Sequence, residues 1–130
     1  MAEIGEVRRW SVVIVDLDPT VGHEQAGARR SLVVSHEPFH RSGMATVCPI
    51  TTRQPKYTGE VAIPPGHAGQ TQDGVVLVHQ LRTIDLRRVT AFKLGGQWAM
   101  VTDKTIRRQV RAALARHLGL DLPAVLDGAA

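Results

Sequence analysis

The hydrophobic pattern of this 130-residue chain changes period once, near Thr102. Before that point apolar residues come in short β-branched runs that stop at proline, glycine or polar clusters. After it they return every three or four residues. Runs of the first kind make strands, because β-branched side chains pack well on a pleated surface. The second pattern makes a helix with one apolar face. A chain of this length supports one core, since single domains usually hold roughly 100–150 residues. We read residues 1–130 as a single domain, with strands over about 9–95, a C-terminal helix over about 103–118 and a tail, 119–130, expected to fray. The expected class is mainly β, a small, strongly curved antiparallel sheet or barrel capped by that helix.

Residues 10–17, WSVVIVDL, read as a buried strand that ends at the Asp18-Pro19 turn signal. TVGHEQAGA, 20–28, is a loop, and a second strand follows over 31–35. A third runs over 45–50, with Pro49 confining it to an edge or a strand end. A polar loop, 53–57, precedes a short strand at 60–63, and 66–74 is an aperiodic turn. Strands follow over 75–78 and 81–85, and a weaker one over 89–94 ends at Gly95-Gly96. Thr102 is the expected N-cap of the helix, with Asp103 in its first turn, where a negative charge suits the helix dipole. Ile106, Val110, Ala113, Leu114 and Leu118 mark its apolar face, and Gly119 is a fitting stop.

Charge narrows the choice of partners. Lys plus Arg number 16 against 12 Asp plus Glu, a net +4. Between Arg82 and Arg116 the basic residues are Arg82, Arg87, Arg88, Lys93, Lys104, Arg107, Arg108, Arg111 and Arg116, against Asp85 and Asp103 alone. Such a half attracts polyanions, although a solvated helix face would look the same. Cys48 is the single cysteine, so no internal disulfide forms, and its apolar neighbours predict a buried thiol. MAEIGEVRRW carries charges where a signal peptide needs an apolar stretch, and no run approaches the roughly 20 apolar residues of a membrane span. A cytoplasmic protein is expected. The six histidines are scattered without ligand spacing, His36 and His40 reading as surface residues, and no nucleotide-binding glycine motif occurs. No metal or cofactor is expected.

Three ordered blocks carry a resemblance. VDLDPTVGHEQAGARRSLVVS, 15–35, sets an aspartate-proline turn before a G-x-E-Q-x-G-x-R loop; VCPITTR, 47–53, and DGVVLVHQLRTID, 73–85, follow in order. Together with the C-terminal helix they resemble the MazF/PemK toxins over about 9–118. The resemblance implies an SH3-like barrel homodimer, the toxin of a toxin–antitoxin system. It also implies metal-independent endonucleolytic cleavage of single-stranded RNA (mRNA) at short sequences, leaving 2′,3′-cyclic phosphate and 5′-hydroxyl ends. By it Arg29 matches the catalytic arginine and Thr51 the catalytic threonine. Glu24 and Gln25 match the loop pair, and Gln80 a glutamine near the substrate groove. A cognate MazE-like antitoxin with an acidic, disordered tail is the implied partner, folding as it binds. Four positions depart from the family pattern. Trp10-Ser11 stands for its usual Gly-Asp, Arg30 for a proline, His23 for a serine and His79 for an acidic residue.

The chemistry suits these residue types. Cleavage by the RNA's own 2′-hydroxyl requires alignment of that group with the leaving 5′-oxygen and stabilisation of charge on the phosphoryl oxygens. An arginine offers a planar fork of donors for that charge but is a poor base. Thr51 adds a hydroxyl donor. Glu24 is the candidate to orient Arg29 or accept the 2′-proton, and His23 a possible acid or base. Beside His23, Gln25 and Gln80, the candidates for RNA contact are Arg53, Lys56 and Arg82. Plainer readings compete: Arg29 and Glu24 as a surface ion pair, and Trp10 and Trp98 as packing residues. As whole functions, a CcdB-like toxin that binds DNA gyrase without cutting RNA, or a catalytically dead family member, are the alternatives.

Overall fold

Nine strands and one α-helix follow each other along the described residues. A computed structural model describes residues 7–90, 93, 94 and 97–120, the side chains of 93, 94 and 97 excepted. The strands are β1 (Val12–Asp16), β2 (Ala28–Val33), β3 (Met44–Thr51), β4 (Val61–Ile63), β5 (Gly74–Val76), β6 (Arg82–Asp85), β7 (Val89–Thr90), β8 (Lys93–Leu94) and β9 (Gln97–Trp98), and α1 is Lys104–His117. Seven strands form one antiparallel sheet in the order β4-β5-β3-β2-β1-β7, with β6 also on β3; β8 and β9 pair separately. The expected class stands, mainly β with a C-terminal helix, but the barrel is not closed. The sheet curls until β6, paired to β3, and β7, paired to β1, are joined by the short 3-10 turn Leu86–Arg88, and no ladder links those two strands.

The period-two alternation of β1, β2 and β3 divides the interior into two cores. On one face Val12, Leu32, Cys48, Ile50, Ile63 and Val76 pack with Ile106, Val110 and Ala113 of α1. On the other, inside the curl, Val13, Val15, Leu17, Val33, Val47, Ile84 and Val89 form the second cluster. This explains why the strands read as nearly continuous apolar runs: both faces are covered. Cys48 is buried as expected, and burial pushes its thiol up to about 12, so it is no nucleophile.

Several expectations are corrected. Pro49 lies inside a central strand, not at an edge. Val34 N–H donates to Thr46 O (3.0 Å), so antiparallel alternation puts Pro49, opposite Ser31, at a position that needs no donor toward β2. On its other side β3 changes partner there, from β6 up to Val47 to β5 from Ile50, so the missing N–H costs little. The second strand begins at Ala28 rather than at 31, because Ala28 and Arg29 pair with Asp16 and Val15 of β1. Strand β9 had no counterpart in the hydrophobic pattern, and the Gly95-Gly96 stop and the tail beyond 120 lie outside the described residues. The N-cap is Asp103, whose carboxylate accepts from Ile106 N–H (2.9 Å), and not Thr102. Both types cap well, and only the exit of Val101 from the sheet decides between neighbours. Leu118 is exposed beyond the packed face, while Gly119, at φ 71°, ends the helix as expected. His40 is buried, its Nδ1–H donating to Val7 O (2.8 Å) and its Nε2 bonded to Ser35 Oγ (2.7 Å).

Candidate active site

The loop between β1 and β2 is built from its own polar residues and tied down from outside. Leu17 N–H donates to Gly27 O (3.0 Å), and Gly27 N–H donates to the Asp18 carboxylate (3.0 Å), closing the loop at its base. Gly27 has φ 78°, a conformation a side chain resists, which is why glycine stands there. Within the loop the Glu24 carboxylate accepts from Val21 N–H and so caps a local turn. The outside ties come from the segment after β5. Gln80, at the end of the 3-10 turn Val78–Gln80, accepts from Gln25 N–H (2.7 Å) through Oε1 and donates to His23 O (3.3 Å) through Nε2. Arg82 donates to Leu17 O (3.0 Å), and Arg88 to Asp16 O (3.1 Å) and Asp18 O (2.6 Å).

Between this loop and the segment 79–82 lies a groove of about 420 Å³. Five of the predicted residues line it: His23, Glu24, Gln25, Gln80 and Arg82. Leu17, Pro49 and Leu81 supply its apolar part, and His79 its remaining polar side. Polar groups around a small apolar surface suit a ligand with flat rings and charged linkers better than a purely apolar one. The apolar lining was missed in the sequence, because these residues look like ordinary strand interior.

Arg29 lies on the strand, not in the loop. Its Nε–H donates to Ala26 O (3.0 Å), while its terminal nitrogens make no hydrogen bond among the described residues. It lines a second hollow of about 340 Å³ with Ile14, Arg30, Ile50, Thr52 and Gln70. No ion pair joins it to Glu24; those among the described residues are Arg53–Glu60 and Arg87–Asp85. Thr51 lines neither depression, and it and Arg29 lie on neighbouring strands without a ladder pair between them. The last pair of β2 with β3 is Ser31 opposite Pro49. That ladder stops two residues short of Arg29 and Thr51, and beyond it Thr51 pairs with Val75 of β5. Thr51 is half-buried, and its hydroxyl has no hydrogen-bond partner among the described residues.

Two predicted residues stand apart. Arg53 makes a bidentate pair with Glu60 (2.9 and 2.6 Å), and Lys56 is exposed, its backbone N–H donating to the same carboxylate (2.7 Å). Tyr57 N–H adds a fourth bond (3.2 Å), so Glu60 is the hub that folds the 53–60 loop. The Arg53 bond, with help from those two amides, holds the Glu60 carboxyl down to about 2 against the opposing effect of burial. A carboxyl depressed on folding stabilises the protein above its ordinary value of 4.5 and loses that contribution as pH falls from about 4.5 toward 2. Urea unfolding at pH 7 and pH 3 should show a loss of about 1 kcal/mol from this group, small because Arg53 is partly exposed to solvent. Glu60→Gln should remove that part of the pH dependence.

The hollow beside Arg29 also holds residues that the sequence offered no signal for. Arg30 Nη1 donates to Gln70 Oε1 (2.7 Å), and Gln70 is buried although it sits in the aperiodic 66–74 stretch. Gly74 makes room for it, since a Cβ there would meet Gln70 Nε2 at 2.5 Å.

Comparison with known proteins bears on this arrangement. The family described as PemK-like, MazF-like toxin of type II toxin–antitoxin systems matches residues 8–118. The chain belongs to this family. It is 39% identical to the endoribonuclease toxin ChpB of Escherichia coli strain K12, over 73% of this chain and 84% of that protein. The crystal structure of MazF (form I) from Deinococcus radiodurans superposes with a TM-score of 0.71 at 30% identity, covering 87% of this chain and 96% of that one. The MazE–MazF structure (form II) from the same organism gives 0.67 at 28%, covering 89% and 98%. Trp10, just before β1, sits at φ 74°, a conformation glycine adopts without strain. Its backbone is pinned there on both sides, Trp10 N–H donating to Val33 O (2.8 Å) and Val101 N–H to Trp10 O (2.9 Å). The ring is buried, a packing residue.

Proposed function

We propose that this chain is the toxin of a type II toxin–antitoxin system and cleaves single-stranded RNA, mRNA above all, at short sequences without a metal. The groove lined by His23, Glu24, Gln25, Gln80 and Arg82, with the exposed Arg29 at the neighbouring hollow, supports this reading most directly, and relatives named as endoribonucleases support the reaction class. The RNA 2′-oxygen attacks the adjacent phosphorus, forming the 2′-O–P bond of a cyclic phosphate, as the P–O bond to the 5′-oxygen breaks. The 2′-proton passes to a base, for which Glu24 is the candidate, and the 5′-oxygen takes up a proton. Arg29 donates from its terminal nitrogens to the phosphoryl oxygens, and Thr51 adds a hydroxyl donor, so charge is stabilised where it develops. His23, Gln25, Arg82 and His79 face the bases or phosphates in the groove, with Arg53 and Lys56 at a distance in the 53–60 loop.

The D. radiodurans toxin has been solved with its antitoxin. By likeness, a MazE-like antitoxin with an acidic tail neutralises this chain by lying over the groove and its basic surroundings. Among the described residues no helix is long and apolar enough to cross a membrane. The toxin acts in the cytoplasm, where mRNA is, and as a homodimer. Nothing observed favours gyrase binding. The test is incubation of purified protein with single-stranded RNA in EDTA, followed by mapping of the ends. Discrete cuts with cyclic phosphate and 5′-hydroxyl ends are expected; cutting only when a divalent metal is restored, or none, would overturn the reading.

A further inference from the structure

At the far end of β1 from the groove, three guanidinium groups gather on one indole. The carbons at the centre of the Arg9, Arg107 and Arg111 guanidinium groups lie 5.1, 5.3 and 5.4 Å from the Trp10 ring centroid. Arg9 comes from the segment before β1, whereas Arg107 and Arg111 come from successive turns of α1, so the cluster is made by tertiary packing. Cation–π attraction to Trp10 offsets part of the mutual repulsion. Among the described residues no carboxylate pairs with any of the three. Arg107 is oriented by donation from Nε to Val101 O (2.8 Å), whereas Arg9 Nε and Arg111 Nε are buried and have no hydrogen-bond partner. Burial and the positive charge of Arg111 and Arg107 push the Arg9 group down from its usual range. Three half-buried cations with no acid among the described residues, two of them with unmet donors, form a site that an anion would complete.

The residue type narrows the anion. All three are arginines, whose planar forks match several oxygens of one tetrahedral group. Three forks gathered around a single ring, with Arg107 and Arg111 close enough to lower Arg9, suit a compact phosphoryl group better than carboxylates spaced along a peptide. The site is not part of the groove. Trp10 and Leu17 are seven residues apart on extended chain, roughly 20 Å at ~3.3 Å per residue. We propose that Arg9, Arg107 and Arg111, assembled on Trp10, bind a phosphoryl group at a site distinct from the cleavage groove. Two sources share that chemistry, a phosphodiester of RNA outside the cleaved bond and a free phosphate or nucleotide; only the first rests on the RNA reading above.

The test uses the full chain carrying Trp98→Phe, so that Trp10 alone reports by fluorescence. Inorganic pyrophosphate is titrated first. Its binding is expected to change Trp10 emission, to weaken at least tenfold in Arg111→Gln, and to weaken less in Arg111→Lys; circular dichroism of α1 shows that both variants keep the fold. An uncleavable 2′-O-methyl oligonucleotide is then bound at several salt concentrations. If RNA supplies the phosphate, the slope of log affinity on log salt should fall by about 0.7 for each arginine replaced at 107 and 111. An unchanged slope with weakened pyrophosphate binding assigns the site to free phosphate. Absence of any response to pyrophosphate and oligonucleotide, equal binding by Arg111→Gln, or stronger competition by a glutamate-rich peptide than by pyrophosphate would overturn the proposal. Pyrophosphate binding by a chain that cuts no RNA would sink the nuclease and leave this site standing.

Discussion

Arg29→Ala is expected to slow RNA cleavage by on the order of 100- to 1000-fold, the loss typical of removing one oriented donor from a transition-state site. The side chain is exposed, and its one internal bond runs from Nε to Ala26 O, so the fold should lose no more than about 1 kcal/mol. Arg29→Lys separates charge from geometry. It keeps the positive group but loses the fork, and should recover only a small part of the rate. Thr51→Val tests the other half of the pair without disturbing the end of β3. If both residues act on the same phosphoryl oxygens, the double variant should lose much less than the product of the single losses, because groups that act as a unit are not additive. Single-turnover cleavage of a short RNA, with unfolding curves on the same samples, measures all of this. Full activity in Arg29→Ala would remove the mechanism.

The second large effect is expected at a residue that acts through others. Gln80→Ala should reduce kcat/KM by roughly 10- to 100-fold, since displacements of about 1 Å at a site cost on that scale. Gln80 ties the 21–27 loop to the 78–80 turn by bonding two backbone groups, Gln25 N–H and His23 O. Without it Glu24 and His23 lose their fixed relation to β3. Gln80→Glu keeps the acceptor for Gln25 and loses the donor to His23, so partial activity is expected there. Amide exchange at Gln25 should quicken in Gln80→Ala and much less in Gln80→Glu. Unchanged exchange with reduced cleavage would mean that Gln80 contacts RNA directly instead.

Much of the fold was legible because the strands are covered on both faces and α1 on one, and burial of that kind writes itself into apolar spacing. The 20–28 loop was legible for a different reason, as Gly27 marks a backbone shape few other residues accept. Arg30–Gln70, Arg53–Glu60 and the Trp10 cluster were not. Each joins segments by polar contacts whose partners follow no period, and local sequence carries no record of a distance. The displaced N-cap and the early start of β2 have a related cause: neighbouring residues were equally suited, and pairing with β1 or exit from the sheet chose between them.

By itself the sequence determined the succession of short strands, the single change to helical period at 102, the buried Cys48 and the motif residues that mark the family. Only the tertiary structure decided that the sheet stays open, that Arg29 belongs to a strand rather than to the loop, and that Gln80 clamps the loop. It also brought three arginines onto Trp10. The physical reason is that periodicity encodes which face of an element is dry, whereas register and the meeting of distant polar groups depend on how the curled sheet brings its segments together.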